Sequence, residues 1–205
     1  MKRKAWIIGA STGIGAVVAD ELNAKGWDVV RSSRSQGDIR IDVSDDASVV
    51  EAANKYEETY GAFDLVLVMA GFWKRMSAKQ FDLEIFKEHN NTNNVGLARC
   101  VAAVLPKMIA QNSGTLIGVS SVAGFRGLPG SSGYGPSKAA QINFLESLRT
   151  DLQQTNVIVQ TVSPGFVKTP MTDVNTFPMP FIISAEKAAK IIVKGIEKKK
   201  AEIVF

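Results

Sequence analysis

Six short apolar runs punctuate the chain: 4–9 (KAWIIG), 28–33, 64–70 (DLVLVMA), 114–120 (GTLIGVS), 157–163 (VIVQTVS) and 201–205 (AEIVF). They are nearly continuous in Val, Ile, Leu and Ala, the pattern of strands covered on both faces rather than one. Between most of them lie segments with apolar positions at helical spacing, about 13–25, 45–60, 81–89, 94–111, 135–153 and 184–199. Strands alternating with helices predict an α/β fold of the Rossmann type, a doubly wound, mostly parallel sheet of about six to seven strands with helices on both faces. No repeat, linker or low-complexity tract divides the chain, so residues 1–205 read as one domain. Local signals agree: Gly26 stands where a left-handed residue ends the first helix, and Ser44 precedes Asp45 and Asp46 as an N-cap followed by first-turn carboxylates.

Composition narrows the class. With 205 residues, 45% hydrophobic and 21% charged, the chain is neither disordered nor a charged helical rod. The net charge of +4 is dispersed except at Lys198, Lys199 and Lys200, which read as the solvated end of a helix, so no nucleic-acid partner is expected. One cysteine and one histidine cannot furnish a thiolate or imidazole metal cluster, and no metal is expected. Cys100 reads as a small core residue, His89 as a surface residue, and the setting as a reducing cytoplasm. The basic then apolar opening MKRKAWIIG imitates a leader, but Gly9, Ser11, Thr12, Gly13 and Gly15 break its apolar run, and no stretch is long enough to span a membrane.

Ligands of a parallel α/β sheet bind beyond the carboxyl ends of its strands. The first such end carries Gly9-Ala10-Ser11-Thr12-Gly13-Ile14-Gly15, between a strand and a helix. Glycines there allow a tight turn and bring helix N-terminal amides up to a pyrophosphate, although glycine turns also serve packing alone. A second feature is YGPSK, Tyr134 to Lys138, with phenol and ammonium one helical turn apart. Alone, Tyr-x-x-x-Lys is more often a surface pair than a functional one. Pro136 places the pair at a helix mouth, where proline forfeits no hydrogen bond.

Together the Gly-x-x-x-Gly-x-Gly turn and YGPSK resemble the short-chain dehydrogenase/reductase family. Further motifs fall in the family's order. Ser121 lies thirteen residues before Tyr134, Asn93-Asn94-Val95-Gly96 leads to Leu105-Pro106-Lys107-Met108, and Ser163-Pro164-Gly165-Phe166-Val167-Lys168-Thr169 follows the strand at 157–163. The resemblance implies a catalytic set of Tyr134, Lys138, Ser121 and Asn93. In it Tyr134 exchanges a proton with a carbonyl or alcohol oxygen and Ser121 hydrogen-bonds that oxygen. Lys138 lowers the phenol's pKa and holds the nicotinamide ribose, and Asn93 positions a relay water beside Lys138. The resemblance also implies cofactor contacts from Gly9, Ser11, Thr12, Gly13, Ile14, Gly15, Ser33, Arg34, Asp42, Val43, Ala70, Gly71, Tyr134, Lys138, Pro164, Gly165, Val167 and Thr169.

Two departures stand out. Val68-Met69-Ala70-Gly71 replaces the usual Asn-Asn-Ala-Gly, losing amides that brace the sheet. Only Ser35-Gln36-Gly37 separates Arg34 from residues 38–42, whereas a parallel crossover needs about a dozen residues. Segment 38–42 therefore forms no parallel strand or pairs irregularly, and an antiparallel run would carry Asp42 to the wrong end of the sheet.

The second strand ends Arg31-Ser32-Ser33-Arg34, without the acid that would accept from ribose hydroxyls, and a guanidinium suits a 2′-phosphate. NADP(H) is the expected cofactor, with NAD(H) possible. The expected activity is hydride transfer between nicotinamide and a carbonyl or secondary alcohol. Phe72, Trp73, Phe125, Met171, Phe177, Met179 and Phe181 lie near the strand ends and suggest an apolar pocket for a small-molecule substrate under a loop. The alternatives are a non-catalytic NAD(P)-binding sensor or scaffold and an NAD-dependent epimerase or dehydratase. The chain stops at Phe205 inside its last predicted strand, and family precedent suggests a homodimer or homotetramer.

Overall fold

The computed structural model describes residues 2–205. In chain order the first half holds β1 (Lys4–Ile8), α1 (Gly13–Ala24), β2 (Asp28–Ser33), β3 (Ile39–Arg40), α2 (Asp46–Tyr60), β4 (Leu65–Val68), α3 (Leu83–His89) and α4 (Gly96–Ala110). The second holds β5 (Gly114–Val119), α5 (Tyr134–Asp151), β6 (Val157–Ser163), β7 (Val167–Lys168), α6 (Pro170–Asp173), β8 (Ile183–Ser184), α7 (Ala185–Glu197) and β9 (Glu202–Val204). Seven strands form one sheet in the order β3-β2-β1-β4-β5-β6-β9, each parallel to its neighbours. The order reverses between β1 and β4, which opens a crevice at their carboxyl ends. The doubly wound expectation holds.

Alternation along the strands builds two cores. Trp6 and Ile8 of β1 join residues of α2, α4 and α5 on one face, and Ala5 and Ile7 join residues of α1 and α7 on the other. Each buried Leu or Ile contributes about 1.5–3 kcal/mol, so the helices are held by the apolar stripes seen in the sequence. Cys100 lies in the first core, and burial pushes its thiol up to about 12, so it is an inert packing residue. Gly26 takes φ +85° after α1, as expected.

Three expectations need correction. Segment 38–42 does contain a parallel strand: Ser32 pairs with Ile39 and Ser33 with Arg40. The dozen-residue rule governs a crossover that retraces a whole strand, whereas β3 is two residues long and the chain backs up only that far. The Asp38 amide donates to Arg31 O at 2.8 Å, and Gly37, at φ +114°, lies so close to Arg31 that a Cβ would be 2.5 Å from its carbonyl oxygen. The second correction is the α2 cap. Asp45 is the N-cap, accepting from Ser48 N at 3.1 Å, because the Ser44 hydroxyl donates to Asp42 instead.

His89 is the third: it is 0% exposed, not a surface residue. Between α3 and α4 the chain makes a π-helical turn over Asn90–Val95, in which Gly96 N reaches back to Asn91 O. The polar run there looks solvated in sequence, yet His89 and Asn93, one turn apart, both point inward.

Candidate active site

The crevice is a cleft of about 500 Å³. Every cofactor-binding residue named from the sequence lines it, as do Ser121, Tyr134 and Lys138; Asn93 does not.

The glycine turn explains one wall. Gly9 and Ala10 both donate to Ser32 O, and a Cβ on Gly9 would sit 2.5 Å from Ala70 N, so the turn is clamped between neighbouring strands. A Cβ on Gly15 would strike the Gly9 carbonyl oxygen, which is how α1 begins so close to the turn. Thr12, the N-cap of α1, makes no side-chain capping bond, and Thr12 to Gly15 line the cleft. Helix-terminal amides without a cap are ready donors for an anionic group. This cradle of absent Cβ atoms and unused donors fits a dinucleotide pyrophosphate.

At one end of the cleft stand Ser33, Arg34, Asp42 and Val43. The short return into β3 keeps Asp42 on the cleft side, answering the doubt about its placement. Its carboxylate accepts from Ser44 N at 2.9 Å and Ser44 Oγ at 2.6 Å, and these bonds, with Arg34 nearby, hold its pKa below the ordinary value. Arg34 is exposed at the cleft edge.

At the other end lie Tyr134, Ser121 and Lys138. Tyr134 opens α5 and Pro136 follows in its first turn, as the sequence indicates. The Ser121 turn packs directly on α5, since a Cβ on Gly124 would be 2.9 Å from Ala139 N, and Ser120 Oγ donates to Lys138 O at 2.8 Å. Burial pushes the Tyr134 phenol up to about 12, with the Ser121 hydroxyl beside it pulling the other way. Burial pushes the Lys138 ammonium down to about 7. Lys138 is 4% exposed, its Nζ 5.5 Å from the Tyr134 ring centroid.

Asn93 lies behind this wall. Its Oδ1 accepts from Phe72 N at 2.7 Å, while its Nδ2 donates to Phe72 O at 3.0 Å and to Ser137 Oγ at 2.9 Å. It therefore clasps the segment after Gly71 to α5. Met69 and Ala70 amides both donate to Ile8 O, so the segment that lost its two asparagines is braced by other means.

A family model described as short chain dehydrogenase matches residues 3–177. The chain belongs to the short-chain dehydrogenase/reductase family. An uncharacterized oxidoreductase of Myxococcus xanthus strain DK1622 is 36% identical over 220 residues, covering 99% of this chain and 87% of that protein. Among solved structures, one described as ribose-5-phosphate isomerase from Brucella melitensis 16M is similar with a TM-score of 0.92 at 26% identity, covering 100% of this chain and 91% of that one. A closed form of serine dehydrogenase complexed with NADP+ is similar with a TM-score of 0.89 at 25% identity, covering 98% of this chain and 94% of that one. This short-chain dehydrogenase/reductase is accordingly a dehydrogenase or reductase enzyme of a family that binds NAD(P).

The family motifs pass over two buried residues of this site. His89 donates from Nδ1 to Ile85 O at 2.8 Å and accepts at Nε2 from Lys74 N at 3.2 Å, which makes it a neutral imidazole, and burial lowers its pKa. Its ring packs near Phe72 and Tyr134, at centroid distances of 4.9 and 6.1 Å. Gln141, three residues past Lys138, touches the Lys138 amine at 2.9 Å. A polar residue on the inward stripe of α5 is the sequence signal for it.

Of the aromatic and methionine residues suggested as pocket walls, Phe72 and Met171 line the cleft, and the Trp73 ring meets Tyr134 edge-on at 5.1 Å. Phe181 is 97% exposed and lines nothing, and Phe177 instead packs on Phe166.

Among the described residues no helix is long and apolar enough to cross a membrane, and no group of His, Cys, Asp and Glu is arranged to hold a metal.

Proposed function

We propose that this short-chain dehydrogenase/reductase is an NADP(H)-dependent carbonyl reductase, or alcohol dehydrogenase in reverse, acting on an apolar substrate. One observation carries the reading: a phenol, a hydroxyl and an amine, from Tyr134, Ser121 and Lys138, converge at one end of the cleft whose wall is the uncapped glycine turn.

Reduced nicotinamide, when bound, supplies the hydride. The residues of the chain do the rest. Tyr134 donates its proton to the carbonyl oxygen, and burial, by holding the phenol up to about 12, keeps that proton in place at neutral pH. Ser121 hydrogen-bonds the same oxygen and stabilises the charge that develops on it. Lys138 favours the phenolate left behind when its ammonium form faces it. Asn93 holds Phe72 and α5 in register. The glycine turn and the Thr12–Gly15 amides hold the pyrophosphate, Asp42 and Val43 the adenine side, and Pro164, Gly165, Val167 and Thr169 the nicotinamide side. Arg34, at the end that carries no competing acid on β2, selects the 2′-phosphate of NADP(H). Phe72, Trp73 and Met171 give the substrate apolar surroundings.

The test is a titration with NADPH and NADH, then a panel of apolar ketones and aldehydes monitored for loss of reduced cofactor. The expected result is tighter NADPH than NADH binding and consumption of NADPH with at least one carbonyl. Binding without turnover across the panel would favour a sensor or scaffold, and conversion of a substrate with the cofactor's redox state unchanged would favour the isomerase chemistry named for the Brucella protein. Failure of both cofactors to bind at sub-millimolar concentration would overturn the reading.

A further inference from the structure

Helix α5 turns Gln141 inward beside Lys138, and the side chain is 1% exposed. A carboxamide buried this deeply needs partners at both ends. Oε1 accepts from Lys138 Nζ at 2.9 Å, and Nε2 donates to the main-chain carbonyl of Asn93 at 2.6 Å. Its orientation is dictated by its neighbours, because the ammonium offers only donors and the carbonyl only accepts. Reversing the amide would create two mismatches.

The same count limits Lys138. An ammonium carries three N–H donors. Val119 O takes one at 2.9 Å and Gln141 a second. One donor is left for the cleft, on the side of Gly71 and Tyr134, where a Cβ on Gly71 would lie 3.8 Å from Nζ.

We propose that Gln141 is a positioning residue for the reaction above: it leaves Lys138 a single donor for the cleft and, through its own carboxamide, bridges the ammonium to the Asn93 carbonyl, where a relay water is expected. The inference rests on the reading of Tyr134 and Lys138 as the proton-transfer pair. An amide N–H is too weak an acid to pass protons along as water does. When Tyr134 has given its proton to the substrate oxygen, the phenolate therefore regains one from the cleft side and not from behind through Asn93: it comes from solvent directly, or from the free Lys138 N–H, the neutral amine then taking a solvent proton on that same side. The ionisable groups facing Lys138 are Tyr134, one turn back on α5, and the neutral His89 at the end of α3.

The test follows Lys138 itself by NMR titration of protein with carbon-13 at its lysine ε-carbons, the resonance assigned by its loss in Lys138→Met. Gln141→Glu sets a carboxylate against the ammonium and moves its midpoint up by about 1–3 units; Gln141→Leu removes the acceptor and moves it down. Opposite displacements are the signature, since a Gln141 that only fills space without holding the ammonium predicts none. Both variants moving the same way, or neither moving, would overturn the proposal. In the wild type, which needs no variant to fold, the Gln141 side-chain amide resonances shift with the Lys138 midpoint; amide resonances flat through that midpoint contradict the bridge. None of these readouts needs turnover. Absence of NADPH consumption would sink the reductase reading while leaving the Gln141 bridge to stand or fall on the titration.

Discussion

Two cationic side chains line the cleft among the described residues, Arg34 and Lys138, and they sit in opposite surroundings. Arg34 is exposed, at the end of a strand, near the Asp42 carboxylate and open to salt. Lys138 is 4% exposed, fixed by Val119 O and Gln141, and driven down to about 7 by burial. An exposed charge in water selects a partner by geometry and costs little to keep. A buried one is costly to keep charged, and its surroundings tune when it is charged. The first suits discrimination between cofactors, the second proton chemistry.

The largest expected effect comes from breaking the buried end. Lys138→Met should lower kcat/KM for carbonyl reduction by about 10²–10⁴, the range of general acid–base assistance, while circular dichroism reports an intact fold. A loss below tenfold would mean that the buried amine takes no part in the chemistry.

Next is the exposed end. Arg34→Ala should weaken NADPH binding by about 10–100-fold, the worth of a charged hydrogen bond, and leave NADH binding nearly unchanged. Equal losses for both cofactors in a fluorescence titration would show that the guanidinium does not meet the 2′-phosphate.

The last effect, on stability and not on activity, sharpens the contrast. Below pH 7 Lys138 is protonated in both folded and unfolded chains. Because its folded value is near 7 and its ordinary value 10.5, the unfolded chain binds more protons between those values, so this group makes stability rise with pH across that window. Tyr134, with a folded value near 12 against 10.0, acts in the opposite sense above pH 10. Urea midpoints should rise from pH 7 to pH 10 in the cofactor-free protein, and less so in Lys138→Met. Equal slopes would place the ammonium in a wetter setting.

The contrast also explains what the sequence could convey. That Arg34, the glycine turn and Tyr134–Lys138 line one cleft was legible because each is a local pattern: a strand end, a turn, one helical turn. The doubly wound sheet was legible because continuous apolar runs dominate both of its faces. The burial of His89 was not legible, because it stands at the end of α3 beside a polar run, and only the packing shows that it and Asn93, one turn later, both face inward. Gln141 was missed because its meaning is non-local. Its carboxamide is explained by a carbonyl that lies 48 positions earlier in the chain. The short link before β3 misled for a different reason, a rule for full-length crossovers applied to a strand of two residues.

The central claim is that Tyr134 delivers the proton that accompanies hydride transfer. The direct measurement pairs single-turnover oxidation of NADPH in the presence of an accepted ketone with NADPH affinity, for the wild type and Tyr134→Phe. The account predicts that removing one hydroxyl abolishes turnover and leaves affinity within about threefold, an energy below 1 kcal/mol. Turnover retained at the wild-type rate in Tyr134→Phe would contradict it.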